Sequence, residues 1–282
     1  MRDVGGAADV LRPVHDGVGG RDGFVSIEVS PLLAHDTDAT VAQAAELFAR
    51  LGRPNILIKI PATPEGIPAI ERTIAAGINV NVTLIFSLDR YAEVMEAYLS
   101  GLEQLDGSGG DVSAVHSVAS FFVSRVDTET DPRLPDASPV RGQAAVANAK
   151  LAYEAFRATF ASGRWNTLAG GGAHLQRPLW ASTSTKNKDY SPTLYVDTLI
   201  GPDTVNTLAP ASIDALHAPG VELRADTVTE GVDKAHQVMA DLAAAGVDFA
   251  DVTATLERDG VASFAKSYTD LLATLEARAA SL

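Results

Sequence analysis

Residues 55–86 constrain the fold of this chain more than any other stretch. Two apolar, β-branched runs, over residues 55–60 and 78–86, flank a helix-like segment over residues 66–76. This pattern predicts a strand–helix–strand unit, the building block of a parallel sheet. Strands of such a sheet are usually apolar on both faces, so Lys59 within the first run is unusual, because burying an ammonium group is costly.

Strand-like and helix-like segments continue to alternate along the chain, which predicts one parallel α/β domain over residues 1–282. Apolar alternation predicts further strands at 24–30, 115–123, 178–183 and 204–208. Amphipathic spacing predicts helices at 7–15, 40–51, 88–105, 144–161, 193–200, 211–217, 229–245 and 260–280. Residues 130–141 are predicted to form a loop, and the triple glycine 170–172 a flexible joint.

Two architectures fit this pattern, an open doubly wound sheet and a (β/α)8 barrel. No glycine-rich phosphate-binding motif follows a predicted strand, which removes the best marker of nucleotide-binding sheets. Polar residues at alternate strand positions favour the barrel, in which one strand face lines the interior and the strand ends carry the active site. Only six strands can be counted, however, whereas a closed barrel of this type has eight.

The composition excludes several classes of function. A net charge of −14 is unsuited to nucleic acid or to an anionic membrane, since both require basic residues. The chain has no cysteine, so it has no disulfides, thiolate metal sites or thiol nucleophile. Neither an apolar leader nor a long apolar run is visible, and we therefore expect a cytoplasmic protein.

Lys59 and Glu28 each allow two interpretations. Lys59 either extends from a strand end to solvent or is an amine nucleophile whose buried position lowers its pKa, so that it forms a Schiff base with a carbonyl. Glu28, on the polar face of a neighbouring predicted strand, is either solvated or a general acid/base. Asn79, Asn81 and Thr83 alternate along one strand, where they either fill turns or hydrogen-bond a polyhydroxylated substrate.

Five motifs, taken together, closely resemble the transaldolases, with the long actinobacterial-type branch as the nearest match. They are Ser26–Ser30, Leu57–Thr63 with Glu65-Gly66, Gly77–Ser87, Ala119–Asp127 and Trp180–Thr183. The resemblance implies a TIM barrel of the class I aldolase type that needs no metal or other cofactor. It also implies transfer of a dihydroxyacetone unit from a ketose phosphate (sedoheptulose 7-phosphate or fructose 6-phosphate) to an aldose phosphate, within the pentose phosphate pathway.

The resemblance assigns roles to individual residues. Lys59 matches the Schiff-base lysine, Glu28 the carboxylate that acts on a catalytic water, and Thr83 the threonine that helps to position this water. Asn81 matches an amide near the bound intermediate. Ser120 and Arg125 match residues at the substrate and its phosphate, a task suited to the bidentate guanidinium.

The predicted strand at 178–183 follows the family pattern less closely. Ser182 matches a serine of the family's Ala-Ser motif. The better-known branch has a phosphate-binding arginine two residues later, where this chain has Ser184. Lys186 is the nearest cation, and it is either the phosphate contact or a solvated loop lysine.

The resemblance also implies that the first two β/α units are missing from this chain. In the family, one of the absent strands carries an acid/base aspartate and the other a Thr-x-Asn-Pro motif. We therefore expect an N-terminally truncated, open six-stranded barrel, from a truncated gene or a start codon assigned too far downstream. The strands at 25–29 and 204–208 would then have unpaired edges.

Three functions stay open at this point. The first is a transaldolase that is active only if the missing strands are supplied. The second is a non-catalytic remnant that binds sugar phosphates, and the third is a fructose 6-phosphate aldolase that releases free dihydroxyacetone. Sugar phosphates are the expected partners, and a homo-oligomer is neither indicated nor excluded. The tail carries Phe264, Tyr268 and Leu271 on one helical stripe, which either packs on the core or excludes water at the barrel mouth.

Overall fold

Six parallel β-strands form the centre of the computed structural model, which describes residues 1–281. The strands are β1 (Val25–Glu28), β2 (Ile56–Pro61), β3 (Val80–Ile85), β4 (Ser117–Phe122), β5 (Gln176–Ala181) and β6 (Val205–Asn206). They lie side by side in sequence order, and each pairs in parallel with the next. The predicted parallel α/β class is therefore confirmed.

Helices connect the strands and pack on the sheet. They are α1 (Arg2–Gly17), α2 (Thr37–Leu51), α3 (Gly66–Ala75), α4 (Leu88–Gly107), α5 (Ser124–Thr130), α6 (Ala144–Thr159), α7 (Gly163–Gly170), α8 (Leu194–Asp197), α9 (Pro210–Leu216), α10 (Val232–Ala244) and α11 (Phe249–Ala280). Within residues 1–281, no helix is long and apolar enough to cross a membrane.

Local signals explain where several helices begin and end. Helix α2 begins after Asp36, whose carboxylate accepts a hydrogen bond from the Ala39 backbone amide, and ends at Gly52 in the left-handed conformation (φ 57°). Ser87 caps α4 in the same way. At the start of α3, a Cβ on Gly66 would lie 2.0 Å from the Pro61 carbonyl oxygen, so only glycine fits this tight strand-to-helix turn.

The core lies where the central strands meet their helices. All residues of β3 and β4 are buried, and in β2 every residue except Lys59 is buried. The outer layer includes the ring of Tyr91 on α4, which contacts Phe121 edge-on, while Phe121 in turn contacts Trp180 of β5. The apolar runs of the sequence thus become strands covered on both faces, as expected for a parallel sheet.

The structure corrects several sequence predictions. The predicted strand at 204–208 is only two residues long in β6, and α1 is longer than the predicted helix at 7–15. The prediction of a flexible joint at 170–172 is wrong. This glycine run ends α7, a helix that was not predicted and that is capped by Ser162. Helix α11 begins eleven residues before the predicted start at 260, because the helix continues through Gly260. Glycine inside a helix costs about 1 kcal/mol relative to alanine and reads as a boundary in sequence.

The two ends of the sheet approach each other at the amino-terminal side of the strands. Among the described residues, β1 and β6 have no further strand partner on their outer edges. Just before these strands, the Arg21 guanidinium lies 2.8 Å from the Asp203 carboxylate, and Arg177 donates hydrogen bonds to the backbone carbonyls of Arg21 and Asp203. Side chains, rather than a strand ladder, therefore link the two edges.

Candidate functional site

Lys59 and Glu28 meet at the carboxyl ends of the first two strands. The register of β1 and β2 places the two residues directly opposite each other, and Lys59 Nζ lies 3.4 Å from the Glu28 carboxylate. Both side chains are largely covered, with exposures of 23% and 26%. Burial raises the pKa of Glu28, although the charge of Lys59 opposes this shift. The pair therefore places an amine beside a carboxyl group whose pKa is raised.

A chain of hydrogen bonds lies next to this pair across β1, β3 and β4. Asn81 faces Lys59 in the register of β2 and β3. Its amide nitrogen donates to the Ser26 hydroxyl at 3.0 Å, and its amide oxygen accepts from the Ser120 hydroxyl at 2.7 Å. These contacts fix the orientation of the amide plane beside the lysine, so that Asn81 is a rigid hydrogen-bonding group.

Asn79, by contrast, is engaged with the backbone of neighbouring strands. Its amide nitrogen donates to the Pro54 and Ile56 carbonyls, and its oxygen accepts from the His116 backbone amide. Asn79 precedes β3 and ties together the amino-terminal ends of β2, β3 and β4. Of the three polar residues that alternate in the sequence, Asn79 is therefore a structural residue, and Asn81 is the one that lines the cavity beside Lys59.

Thr83 lies on β3 next to an irregularity. Its side chain is fully buried, and among the described residues its hydroxyl has no hydrogen-bond partner. The following residue, Leu84, has a φ of 59°, which is unusual for leucine, and the pairing of β3 with β4 shifts register between Val82 and Ile85. Strained backbone of this kind clusters at functional sites.

Arg125 is the second residue of α5, just beyond the carboxyl end of β4. Its guanidinium carbon lies 5.2 Å from the centre of the Phe122 ring, and partial burial lowers its pKa. Within residues 1–281, Arg125 makes no side-chain hydrogen bond or ion pair, whereas Arg133 in the next turn region is paired with Glu129 and Asp251. The stacked guanidinium is thus oriented and yet available to an anion.

Asp127 anchors the helix that carries Arg125. Its buried carboxylate accepts hydrogen bonds from the Ala145 backbone amide at 2.8 Å and from the Tyr195 hydroxyl at 2.8 Å. Burial raises the pKa of Asp127 from 3.8 to about 6, because desolvation outweighs these hydrogen bonds. One carboxylate therefore joins α5, α6 and α8.

This raised pKa predicts a pH-dependent effect of Asp127→Asn on stability. Because the pKa of Asp127 is higher in the folded state, the protonated carboxyl group stabilises the folded protein fully below pH ~4. This stabilisation is lost as the pH rises through ~6. Asparagine has no proton to lose. We therefore expect the unfolding free energy of Asp127→Asn, relative to that of wild type, to be about 3 kcal/mol higher at pH 7.5 than at pH 4. Urea unfolding of both proteins at the two pH values measures this difference. An identical difference at both pH values would contradict the account.

The predicted residues around β5 are less closely tied to the lysine. The Ser182 hydroxyl lies 3.1 Å from the Ser124 hydroxyl, next to Arg125, and Ser182 has a strained φ of 55°. Lys186 lies exposed on the loop after β5 and makes no side-chain hydrogen bond or ion pair with the described residues. Ser182 therefore belongs to the region of Arg125, while Lys186 stands apart from the other site residues.

A cavity of about 1010 Å³ occupies the concave face of the sheet. Of the predicted residues, Lys59, Glu28, Asn81 and Ser120 line it, and Thr83, Arg125, Ser182 and Lys186 do not. The cavity also runs down to His116 and Arg177 at the amino-terminal end of the sheet. The lysine–carboxylate pair and its amide lie at the carboxyl end, where active sites of barrel enzymes are found.

Sequence reasoning did not single out three residues that the structure brings to the site. The Ser26 hydroxyl accepts a hydrogen bond from the Asn81 amide, and the hydroxyls of Ser124 and Ser182 hydrogen-bond each other. The ring of Phe122 lies under Arg125. Ser26 had a signal, since it shares the polar face of its strand with Glu28, whereas the contacts of the other two depend on three-dimensional packing.

No cluster of three or more metal-binding side chains occurs in the described part of the chain.

The fold and the site together define an α/β protein with a lysine–carboxylate pair at the carboxyl end of a parallel sheet. Comparisons with known proteins agree with this class. The family model described as transaldolase/fructose-6-phosphate aldolase matches residues 1–275. The chain therefore belongs to this family of enzymes, which confirms the resemblance found in the sequence.

Individual relatives are similar over nearly the whole chain. Transaldolase 1 of Streptomyces avermitilis is 53% identical over 99% of this chain and 74% of its own length. The transaldolase of Saccharopolyspora erythraea is 52% identical over 97% of this chain and 75% of its own length. The transaldolase of Mycolicibacterium paratuberculosis is 54% identical over 96% of this chain and 74% of its own length. The chain thus spans about three quarters of the length of these relatives.

Proposed function

We propose that this chain is a transaldolase that carries its dihydroxyacetone unit on Lys59. The donor is a ketose phosphate, either sedoheptulose 7-phosphate or fructose 6-phosphate, and the acceptor is an aldose phosphate, either glyceraldehyde 3-phosphate or erythrose 4-phosphate. The observation that carries the proposal is the largely buried lysine, which lines the cavity with its amine 3.4 Å from Glu28. In this proposal the enzyme works in the pentose phosphate pathway of the cytoplasm.

The reaction begins when the free amine of Lys59 attacks the C2 carbonyl of the donor. The hydroxyl group of the carbinolamine then takes a proton from an acid group and leaves as water. The iminium ion that remains withdraws electrons from the C3–C4 bond. A base removes the proton of the C4 hydroxyl, the C3–C4 bond breaks, and the aldose leaves. The resulting enamine on Lys59 attacks the carbonyl carbon of the acceptor aldose, and hydrolysis of the new iminium releases the product ketose.

Glu28 serves as the acid/base group for these proton transfers. Its distance of 3.4 Å from Lys59 Nζ suits a direct transfer after a small movement of either side chain. The raised pKa of Glu28 lets the group hold a proton closer to neutral pH than an ordinary glutamate would. Thr83 assists by binding the water through its hydroxyl, which has no partner among the described residues.

Asn81 and Ser120 orient the substrate in this proposal. The amide of Asn81 faces Lys59 across the strand register, and the Ser120 hydroxyl holds that amide in place. A planar amide offers both a donor and an acceptor to the hydroxyl groups of a ketose. These contacts keep the reacting carbon near the amine, which is the positioning that accelerates a bimolecular attack.

Arg125 binds the phosphate group of the substrate, with Ser182 nearby and Lys186 as a second cation. A guanidinium that is stacked and free of carboxylate partners suits bidentate binding of a phosphate. Lys186 is exposed, so water weakens its attraction for the phosphate, and in this proposal it contributes less to binding than Arg125.

We also propose that the six-stranded sheet is part of a (β/α)8 barrel whose first two β/α units this chain lacks. The outer edges of β1 and β6 are supporting evidence, because two further parallel strands between them would complete eight. This chain matches 74% to 75% of the length of its relatives, which is compatible with six of eight β/α units.

A transfer assay tests the proposed function. The protein is incubated with fructose 6-phosphate and erythrose 4-phosphate, and sedoheptulose 7-phosphate, glyceraldehyde 3-phosphate and free dihydroxyacetone are measured. We expect the first two products in equal amounts. Free dihydroxyacetone as the main product would instead identify a fructose 6-phosphate aldolase. Saturable binding of the sugar phosphate without any product would identify a non-catalytic binding protein.

The proposed role of Glu28 predicts the pH profile of Glu28→Gln. Glutamine keeps the size of the side chain but cannot exchange a proton, so we expect kcat to fall by ~10²- to 10⁴-fold. Because the pKa of Glu28 is raised, the acidic limb of the wild-type profile should lie above the ordinary range of glutamate and disappear in the variant. Steady-state kinetics across pH measure both effects. An unchanged acidic limb would assign the proton transfer to another group.

A further inference from the structure

Helix α11 brings an aromatic ring to the nucleophile. The centre of the Phe264 ring lies 5.4 Å from Lys59 Nζ, within the range of a cation–π contact. Phe264 is partly buried and packs against the core, so the ring is held in place. The amine therefore has the carboxylate of Glu28 on one side and an aromatic face on another.

The approach of α11 to the sheet depends on Gly260, one turn before Phe264. A Cβ on this residue would lie 3.0 Å from a methyl group of Leu84, the strained residue in β3. This separation is tighter than ordinary packing, and Leu84 is buried, so it has little room to move. The missing side chain lets α11 lie directly on the irregular part of β3.

Two ion pairs fix the same helix on other elements. Arg133 contacts Asp251 at 2.6 Å in the first turn of α11, and Arg90 lies 3.4 Å from Glu257 in the next turns. Together with the contact at Gly260, they hold the first half of the helix. The second half is freer, since Leu271 is 56% exposed, which makes the predicted core packing of that residue wrong.

We propose that Phe264 shields the covalent intermediate on Lys59 from water and so directs the dihydroxyacetone unit to the aldose acceptor. This inference rests on the proposed function. The competing reaction is hydrolysis: the enamine takes a proton on carbon, water adds to C2 of the iminium, and the C2–Nζ bond breaks to give free dihydroxyacetone and the amine. A ring 5.4 Å from Nζ covers one side of the covalent intermediate and removes one path for water to C2.

The ratio of released to transferred dihydroxyacetone tests this role. For Phe264→Ala, we expect this ratio to rise at least about threefold over wild type, at saturating erythrose 4-phosphate. Phe264→Tyr keeps the aromatic face and should stay near the wild-type ratio. Tyr268→Ala, one turn later on the same helix, removes a ring that makes no such contact with Lys59, and it should leave the ratio unchanged.

Gly260→Ala tests the seating of the helix independently. The added methyl group should displace α11 from Leu84 and raise the same ratio, by less than Phe264→Ala does. This variant keeps the aromatic side chain, so a shift in its ratio reports the position of the ring. Far-ultraviolet circular dichroism and thermal unfolding of all variants establish that they are folded.

The possible outcomes separate the two proposals. If wild type forms no borohydride-trapped adduct on Lys59, the proposed function and this inference both fall. If wild type is trapped and transfers, but folded Phe264→Ala keeps the wild-type ratio, only the shielding role is overturned. If Tyr268→Ala raises the ratio as much as Phe264→Ala, the effect belongs to the helix as a whole and the assignment to Phe264 is wrong.

Discussion

Lys59→Met should lower kcat for transfer from fructose 6-phosphate by at least about 10⁴-fold, because it removes the atom that bonds to the substrate. Methionine has a similar length and fits an otherwise apolar strand, so the fold should be retained. Glu28 loses its ion-pair partner, and its proton affinity is already raised by burial, which lets it become neutral. Coupled spectrophotometric assays and thermal unfolding measure activity and fold separately.

Lys188→Met is the matched control for this substitution. Lys188 lies exposed in the loop after β5, and the same replacement there should leave kcat within about twofold of wild type. Residual activity of Lys59→Met above a few per cent would contradict the role of Lys59 as the nucleophile. Loss of the folded state in Lys59→Met would move the test to Lys59→Arg, which keeps the charge beside Glu28 but lacks a nucleophilic amine.

Arg125→Gln should weaken binding of phosphorylated donors selectively. Loss of hydrogen bonds to a charged group costs about 1.5–3 kcal/mol, so we expect KM for fructose 6-phosphate to rise roughly 10- to 150-fold. KM and kcat for fructose, which lacks the phosphate, should change little. Steady-state kinetics with both sugars measure the effect of the phosphate alone.

Lys186→Met provides the comparison for Arg125→Gln. Lys186 is exposed and unpaired among the described residues, so its removal should raise KM for fructose 6-phosphate only by about two- to fivefold. A larger effect at Lys186 than at Arg125 would make Lys186 the main phosphate ligand. An equal change of KM for fructose and fructose 6-phosphate in Arg125→Gln would contradict phosphate binding by this residue.

The sequence placed the lysine, the carboxylate and the amide on three consecutive predicted strands, and the resemblance to the transaldolases grouped them into one site. Alternation puts Glu28, Lys59 and Asn81 each inside an apolar run, and parallel pairing of consecutive strands then aligns them. The register is a consequence of short, local strand–helix–strand units, in which each strand is buried on both faces. The residue pattern therefore predicted the neighbouring strands, whereas the roles of the three residues came from the resemblance.

Other parts of the site depend on packing that no sequence pattern reveals. The left-handed Leu84 gives no signal among the six residues of β3, and the contact of Phe264 with Lys59 joins residues about 200 positions apart. Gly260 even points to the wrong boundary of α11, because its role is close packing rather than helix termination. Tertiary contacts of this kind override local propensity.

A covalent bond between Lys59 and the substrate is the step on which the proposed mechanism depends. Its most direct test is to treat the protein with fructose 6-phosphate and sodium borohydride, and to measure the intact mass and the peptide map. We expect one reduced dihydroxyacetone unit per chain, located on the peptide that contains Lys59 and absent in Lys59→Met. A folded wild-type protein that gains no mass, or that carries the unit on another lysine, would contradict the account.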